Sequence, residues 1–314
     1  MPNNSYDLRP KKLANFIGKQ SLVNNLETAI QASKQRGINL DHILFYGYPG
    51  VGKTTLAFII ANELGANIHI TQGNLLTKTT DIINLLSLIK ENDVVFIDEI
   101  HSCPPIVCET LYSIMEDFAI DVNLGKEMNS KMTRLKIPHF TLIGATTSLG
   151  KIPQPMEERF GYLYYLSEYT NEEISQLLKR NMQCFHLDLS DNDQMLIASY
   201  CKGIPRIANR LMKRIADYKL IHPNLSVDEI FKAIKIFDDG LGEEDVKYLK
   251  VLYMNEDEVG LKTISQILMT DPLTIETKIE PFLIKHQYIS KNLKGRKITS
   301  KGCHFIELNH LQNY

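Results

Sequence analysis

The chain has 314 residues, 44% hydrophobic and 23% charged, with a formal net charge of −2, so two or three globular domains are expected and net charge alone predicts no nucleic-acid partner. No apolar run approaches the roughly 18–20 residues that span a bilayer, and the N-terminus lacks the basic and apolar regions of a signal peptide, so we expect a cytoplasmic protein without a membrane partner. The five cysteines are odd in number and lack C-x-x-C spacing, which disfavours a zinc site or a disulfide framework.

The first half of the chain alternates strand-like and helical segments. The strand-like runs are short and apolar, and they lie at residues 42–46, 67–71, 93–97, 140–145 and 162–166. Amphipathic stretches at helical spacing separate them. Such alternation is typical of a parallel sheet with helices on both faces, so we predict an α/β domain over residues 1–166.

A glycine-rich loop follows the first of these strands. Residues 47–54 read Gly-Tyr-Pro-Gly-Val-Gly-Lys-Thr, a complete G-x-x-x-x-G-K-[ST] motif between a strand and a helix. Backbone N–H groups of such a loop bind a polyphosphate, Lys53 can reach the β- and γ-phosphates, and the Thr54 hydroxyl can ligate Mg²⁺. The motif therefore predicts a P-loop NTPase. Its predicted nucleotide-binding residues are Gly50, Val51, Gly52, Lys53, Thr54 and Thr55.

Two later strands end in side chains suited to nucleotide hydrolysis. The apolar run at residues 94–97 leads into Asp98 and Glu99. At this edge of the sheet Asp98 would hold Mg²⁺ through its water shell, and Glu99 would be the general base that polarises the attacking water. The run at residues 140–145 ends at Thr146, which could sense the γ-phosphate or orient water; a turn or cap hydroxyl is the alternative.

An insertion interrupts the α/β rhythm. Two alternating runs, at residues 119–125 and 132–137, flank a polar tip, which predicts a β-hairpin that projects from the core.

The remainder of the chain reads as two smaller domains. Residues 167–239 are helical in pattern, with Thr170, Ser190 and Ser226 as predicted helix N-caps. Residues 238–242 resemble a linker. Residues 240–314 hold three predicted helices and a hairpin that pairs residues 287–290 with 296–299, an order that suggests a winged-helix module.

A cluster of positive charge spans this last hairpin. Residues 285–301 contain six Lys or Arg and no acid. We expect this cluster to be a local phosphate-binding surface whose affinity for DNA is independent of sequence and sensitive to salt. A solvated basic hairpin is the alternative.

Several segments together are more specific than the nucleotide motifs. They are Leu-Arg-Pro at residues 8–10, Met-Glu-Asp-Phe at 115–118, Glu-Arg-Phe-Gly at 158–161 and Pro-Arg-Ile-Ala-Asn-Arg at 205–210. With them the chain resembles the RuvB family of AAA+ ATPases, the motors of the bacterial Holliday junction branch migration complex. The resemblance implies an AAA+ P-loop domain, a small all-α lid and a C-terminal winged-helix domain, with ATP and Mg²⁺ as cofactors.

The resemblance also implies roles for individual residues in nucleotide binding. Leu8, Arg9 and Ile17 would lie against the adenine, with Tyr169 and Pro205 closing the pocket. Arg206 would be the sensor-2 arginine on the γ-phosphate. The family pattern adds a further set of nucleotide-binding residues: Glu116, Asp117, Phe118 and Arg159.

Arg159 would be the arginine finger, inserted into the site of a neighbouring subunit. Without the resemblance, Arg159 and Arg206 would more readily be interpreted as surface salt-bridge residues. The chain departs from the family pattern at Tyr48, where proline is usual, and at Glu157, where arginine is usual. The second departure puts in doubt any further cationic contact beside Arg159.

The implied function is that of an ATP-dependent DNA translocase, or helicase, in recombination and repair. A hexameric ring would pump duplex DNA out of a four-way junction held by RuvA. The hairpin at residues 119–137 would dock RuvA, and Val122, Leu124 and Leu135 would either contact that partner or pack onto their own domain. Whether a junction-resolving nuclease joins the complex is left open. The wing residues aligned with the family's DNA contacts are Lys291, Lys294 and Arg296.

Two other readings remain open. A clamp-loader subunit would carry a collar domain in place of a basic winged helix. A nucleotide-controlled DNA-binding regulator would show negligible turnover and a sequence-specific recognition helix, and Glu99 argues against the first of these properties.

Overall fold

The computed structural model describes residues 8–124, 131–255, 257–309 and 311. The chain divides into two compact units: a first unit of residues 1–188 and 203–210, and a second unit of residues 189–202 and 211–314. Within the described parts, no helix is both long and apolar enough to cross a membrane. The domain boundaries expected near residues 166 and 239 remain predictions.

The first unit contains seven strands. They are β1 (Ile43–Gly47), β2 (Ile68–Gln72), β3 (Val94–Asp98), β4 (Ala119–Leu124), β5 (Lys131–Lys136), β6 (Thr141–Thr146) and β7 (Tyr162–Leu166). Five of them form a parallel sheet in the order β2-β3-β6-β1-β7. The predicted parallel α/β sheet is therefore confirmed, and each strand begins within one residue of its predicted start.

Helices cover this sheet because its central strands are apolar along their whole length. The helices of this part of the chain are α1 (Gln20–Arg36), α2 (Lys53–Leu64), α3 (Thr79–Leu86), α4 (Pro105–Asp117), α5 (Gln154–Glu157) and α6 (Asn171–Phe185). Every residue of β6 is buried, as are the first four of β3, which is the pattern of strands enclosed on both faces. The charged ends of the strands are thus left to form the site.

The predicted hairpin is present as the antiparallel pair β4 and β5. Its register runs from Ala119 opposite Lys136 to Leu124 opposite Lys131. The tip at residues 125–130 and the side chains of Val122 and Leu124 lie outside the described part of the chain. Leu135 is 40% exposed, so this side chain is available at the surface of the first unit.

Helices then follow one another up to the predicted linker. They are α7 (Asp191–Ser199), α8 (Pro205–Ile221) and α9 (Val227–Ala233). Each of the three predicted N-caps is confirmed: the hydroxyls of Thr170, Ser190 and Ser226 accept the N–H three residues onward at 3.2, 3.1 and 3.2 Å. These side chains satisfy N–H groups that the first turn of a helix leaves without a partner.

The predicted linker is packed rather than extended. Residues Asp238–Gly240 form a 3₁₀ turn, and the Tyr200 hydroxyl donates to Asp238 Oδ1 at 2.8 Å. Gly240 adopts φ +72°, and a Cβ there would lie 2.1 Å from the Tyr200 carbonyl oxygen. Only glycine fits this approach, so the segment is held within the second unit.

The end of the second unit has its own apolar core and a two-stranded wing. Its elements are α10 (Glu243–Tyr253), α11 (Leu261–Leu268), α12 (Pro272–Thr274), a π-helical turn (Ile275–Ile279), α13 (Glu280–Lys285), β8 (Ile289–Lys291), β9 (Arg296–Ile298) and α14 (Ser300–Leu308). The wing pairs β8 with β9 as predicted. The sequence prediction missed α14, whose N-cap Thr299 accepts the Gly302 N–H at 3.2 Å.

Candidate functional site

The phosphate-binding loop joins β1 to α2 with three glycines at positive φ. Gly47, Gly50 and Gly52 have φ of 140°, 84° and 110°. A Cβ on Gly47 would lie 2.3 Å from the Leu166 carbonyl oxygen on β7, so a side chain there would push the loop away from the sheet. The glycines thus let the backbone curl tightly in front of the helix N-terminus, the geometry that phosphate binding requires.

Lys53 lies inside this loop and is 6% exposed. Its Nζ donates to the carbonyl oxygens of Gly47 at 2.8 Å and Tyr48 at 2.9 Å. Burial lowers the pKa of Lys53, while the carboxylates of Glu99 and Asp98 oppose that shift. The cation is therefore placed between the loop and the acidic end of β3.

A cavity of about 360 Å³ opens beside the loop, within the first unit. The predicted site residues that line it are Leu8, Arg9, Ile17, Gly50, Gly52, Lys53, Thr54, Thr55, Asp98, Glu99, Tyr169, Pro205 and Arg206. Val51 is fully buried and is absent from the lining. The cavity thus has an apolar end at the N-terminal segment and a charged end at the loop, as a nucleotide requires.

The cavity also contains residues that the sequence reasoning missed: Pro10, Phe16, Pro49, Leu177, Arg180 and Asn209. Arg180, on α6, donates to the carbonyl oxygens of Leu8 at 3.2 Å and Asn15 at 3.0 Å. This side chain therefore holds the N-terminal segment over the apolar end. A single arginine on a helix gives no sequence signal for this role, although Phe16 stands inside the Phe-Ile-Gly segment of the family pattern.

The acidic pair follows β3 in a strained conformation. Glu99 has φ 47° and ψ 47°, and its N–H donates to Asp98 Oδ1 at 3.0 Å. Glu99 Oε2 accepts from the Thr147 hydroxyl at 3.0 Å and lies 3.2 Å from His101 Nδ1. A left-handed backbone is unfavourable for glutamate, so its presence at the cavity edge marks a functional position. The carboxylate is fixed by two neighbours.

Thr146 lies behind this pair and does not line the cavity. It is fully buried, its hydroxyl accepts the Ser148 N–H at 2.9 Å, and Oγ1 lies 3.0 Å from His101 Nδ1. The predicted catalytic threonine therefore reaches Glu99 only through His101. His101 directly follows the Asp-Glu-Ile segment, and its position in the chain was the only signal for it.

A second group of predicted nucleotide-binding residues lies apart from the cavity lining. Arg159 pairs with Glu116 at 2.6 Å, and Asp117 pairs with Arg134 of β5 at 2.6 Å. Phe118 ends α4 at φ 47°. The structure therefore does not bring Arg159, Glu116, Asp117 and Phe118 to the cavity of their own chain.

Comparison with known proteins assigns the chain to a family. The model of the Holliday junction DNA helicase RuvB P-loop domain matches residues 8–166, that of the RuvB AAA lid domain matches 169–237, and that of the RuvB C-terminal winged helix domain matches 238–307. This chain belongs to the RuvB family. The predicted fold class, an AAA+ P-loop domain followed by a helical lid and a winged helix, is thereby confirmed.

Relatives of this RuvB-family chain share its length. The Holliday junction branch migration complex subunit RuvB of Ureaplasma parvum is 58% identical over 98% of both chains. The subunit of the same name from Mycoplasma genitalium is 44% identical over 95% of this chain and 97% of its own. The solved Thermotoga maritima RuvB Holliday junction branch migration motor has a TM-score of 0.80 at 36% identity, covering 98% of this chain and 99% of that one.

The wing of this RuvB-family chain differs from its sequence prediction at Arg296. Arg296 is 7% exposed; its Nε donates to Glu280 Oε1 at 2.8 Å and its Nη2 to Glu276 Oε1 at 3.0 Å. Lys291 pairs with the same two carboxylates at 2.9 and 3.0 Å. Arg296 thus does not face solvent as a DNA contact would, because two glutamates just outside the basic segment hold it in the interior. Lys294 is exposed.

Glu280 is the centre of this buried network. It also accepts from the Tyr248 hydroxyl at 3.0 Å. Burial would raise the pKa of Glu280, but hydrogen bonds from Arg296 and Lys291 outweigh it and hold that pKa below its ordinary value. The carboxylate therefore remains charged and ties the wing to the preceding helix.

Arg296→Ala is expected to destabilise the second unit by about 3 kcal/mol, because removing one partner of a buried ion pair leaves the other charge poorly compensated. Lys297→Ala, at an exposed neighbouring position on β9, is the matched control and should change the unfolding free energy by less than about 0.5 kcal/mol. Urea unfolding followed by circular dichroism measures both. An Arg296→Ala protein of wild-type stability with weakened DNA binding would return this residue to the DNA-binding surface.

Proposed function

We propose that the chain is an ATP-driven motor that moves duplex DNA through a four-way junction, acting as a hexameric ring together with RuvA. The observation that carries the proposal is the single cavity that unites the phosphate loop, Lys53 and the Asp98–Glu99 pair in a chain of the RuvB family. A phosphate loop alone would suit a switch, whereas a fixed general base beside it favours turnover.

ATP is the proposed substrate of the cavity. The adenine would occupy the apolar end between Ile17, Tyr169 and Pro205, which leaves the polyphosphate at the loop. Lys53 would then neutralise charge on the β- and γ-phosphates. Glu99, held by Thr147 and His101, would take the proton of the attacking water.

The residues at the loop also fit Mg²⁺. Thr54 and Asp98 offer oxygen ligands at the same cavity, and oxygen is the donor that Mg²⁺ prefers. Among the described residues no group of three or more His, Cys, Asp or Glu could hold a metal, which suits an ion bound largely by phosphates and water. When bound, Mg²⁺ would neutralise charge that develops on the phosphates.

Two arginines would complete the site. Arg206 lines the cavity and makes no hydrogen bond or ion pair with residues in the described ranges, so it is available to a γ-phosphate as a sensor. Arg159 would serve the cavity of the neighbouring subunit together with the segment Glu116, Asp117 and Phe118. This arrangement makes hydrolysis depend on ring assembly, because each site needs a cation from its neighbour.

The remaining contacts follow from the same proposal. The 119–137 hairpin would dock RuvA, with Leu135 as an exposed apolar contact, and the wing would follow the DNA backbone through Lys294. ATP turnover, sensed by Arg206 and Tyr169, would move the wing and so the DNA. The motor would work in the cytoplasm, in recombination and repair, and a junction-resolving nuclease would be a further partner.

Dissociation of a labelled synthetic four-way junction tests the proposal. With RuvA, Mg²⁺ and ATP, the junction should convert to duplex products; with a non-hydrolysable ATP analogue or without RuvA it should remain intact. ATP hydrolysis without junction dissociation would instead favour a clamp-loader or remodelling role. Absence of both activities would favour a nucleotide-controlled switch.

A further inference from the structure

Leu293 stands alone at the tip of the wing, between β8 and β9. Its relative exposure is 107%, higher than that of any other large hydrophobic residue in the described part of the chain. A single exposed leucine is ordinary on a protein surface. This one is distinguished by the rigidity of its support and by the charges on either side of it.

The tip is a tight turn that prevents Leu293 from folding back. Asn292 Oδ1 accepts the N–H groups of Lys294 at 2.8 Å and Gly295 at 3.0 Å, and the Asn292 N–H donates to the Gly295 carbonyl at 2.9 Å. The Asn292 side chain also donates to Glu258 Oε1 at 2.6 Å. Both ends of the Asn292 amide are therefore engaged, and the turn presents its second residue outward.

The wing behind the tip is braced from two sides. Arg296 exchanges two backbone hydrogen bonds of 2.9 Å with Val259, and its guanidinium is buried against Glu280. A Cβ on Gly295 would lie 2.7 Å from the Val259 carbonyl oxygen, so glycine permits this close approach. An apolar side chain on a braced support needs little further ordering when it binds.

The charges around the tip restrict the kind of partner. Lys291 is neutralised by Glu276 and Glu280, whereas the exposed Lys294 and Lys297 form no ion pair with the described residues. The tip therefore offers one apolar side chain beside two cations. The minor groove of duplex DNA has the matching surface, because two phosphate ridges flank apolar deoxyribose faces, and apolar side chains are known to enter it.

We propose that Leu293 is a DNA-contacting residue that packs against deoxyribose in the minor groove, while Lys294 and Lys297 contact the flanking phosphates. This inference rests on the proposed function, since it takes duplex DNA as the ligand of the wing. Contact with sugar carries no sequence information, so the wing can repeat it at each base pair as DNA moves.

Duplex affinity measured across a range of salt tests the proposal. Fluorescence anisotropy with the full chain, an ATP analogue and a 30-base-pair duplex should show Leu293→Ala binding about tenfold more weakly with an unchanged salt slope, because burial of a leucine is apolar. Lys294→Ala should lower the slope by about one. Met269→Ala, 95% exposed in the second unit but outside the wing, is the matched control and should bind as wild type. Distamycin, a minor-groove ligand, should weaken wild type more than Leu293→Ala.

The outcomes separate this inference from the proposed function. Wild-type affinity of Leu293→Ala at every salt concentration, or a loss accompanied by a lower slope, would overturn the apolar contact while the motor proposal stands. A wild-type chain that does not bind duplex DNA would remove the proposed function itself. Binding to vesicles of phosphatidylglycerol that depends on Leu293, with DNA binding unaffected, would replace the minor groove with an anionic membrane surface.

Discussion

Lys53→Ala is expected to lower kcat for ATP hydrolysis by about 10³-fold or more, since it removes the cation aimed at the phosphates from a buried site. Lys53 is also part of the loop itself, because its ammonium holds the carbonyl oxygens of Gly47 and Tyr48. We therefore expect weaker nucleotide binding as well. Steady-state phosphate release and equilibrium binding of a fluorescent ATP analogue measure the two effects.

Lys34→Ala provides the matched control for this experiment. Lys34 is an exposed lysine in the last turn of α1 and does not line the nucleotide cavity. Its removal should leave turnover within about twofold of wild type, as for ordinary surface substitutions. A Lys53→Ala protein that retains wild-type turnover would show that the glycine loop is not the hydrolytic site.

Arg159→Ala is expected to lower kcat by about 10³–10⁵-fold while nucleotide affinity changes little. The reason is geometric: Arg159 is absent from the cavity lining of its own chain and pairs instead with Glu116 at 2.6 Å. A finger of this kind stabilises transition-state charge in a neighbouring subunit. Turnover and binding should therefore separate, in contrast to the result for Lys53→Ala.

Mixing the two variants tests the trans arrangement directly. Arg159→Ala subunits keep a complete cavity, and Lys53→Ala subunits keep the finger, so mixed rings should regain hydrolysis that neither variant has alone. Arg36→Ala, at an exposed arginine that ends α1, is the control and should hydrolyse ATP as wild type does. Equal inactivity of the mixture and its components would place Arg159 outside the catalytic site.

Local patterns explain why much of the fold could be predicted. The G-x-x-x-x-G-K-[ST] loop, the apolar strands that end at Asp98 and the N-caps at Thr170, Ser190 and Ser226 all depend on residues near one another in the chain. Backbone geometry and solvation act at that range, so these elements appear in the structure within one or two residues of their predicted bounds.

Charges in the wing show the limit of such patterns. Six cations and no acid between residues 285 and 301 predict an entirely basic surface. Folding places Glu276 and Glu280 beside Arg296 and Lys291, so two of the cations act inside the protein rather than toward DNA. The helix that supplies these carboxylates precedes the wing, and only its packing reveals the neutralisation.

The nucleotide site divides in the same way. Sequence by itself determined the loop, the acidic pair and the family, because each is encoded by a contiguous run of residues. Tertiary structure alone decided that Arg180 holds the N-terminal segment, that His101 stands between Thr146 and Glu99, and that Arg159 lies away from its own cavity. These relations join side chains far apart in the chain, and their distances are set by how the sheet and helices pack rather than by spacing along the sequence.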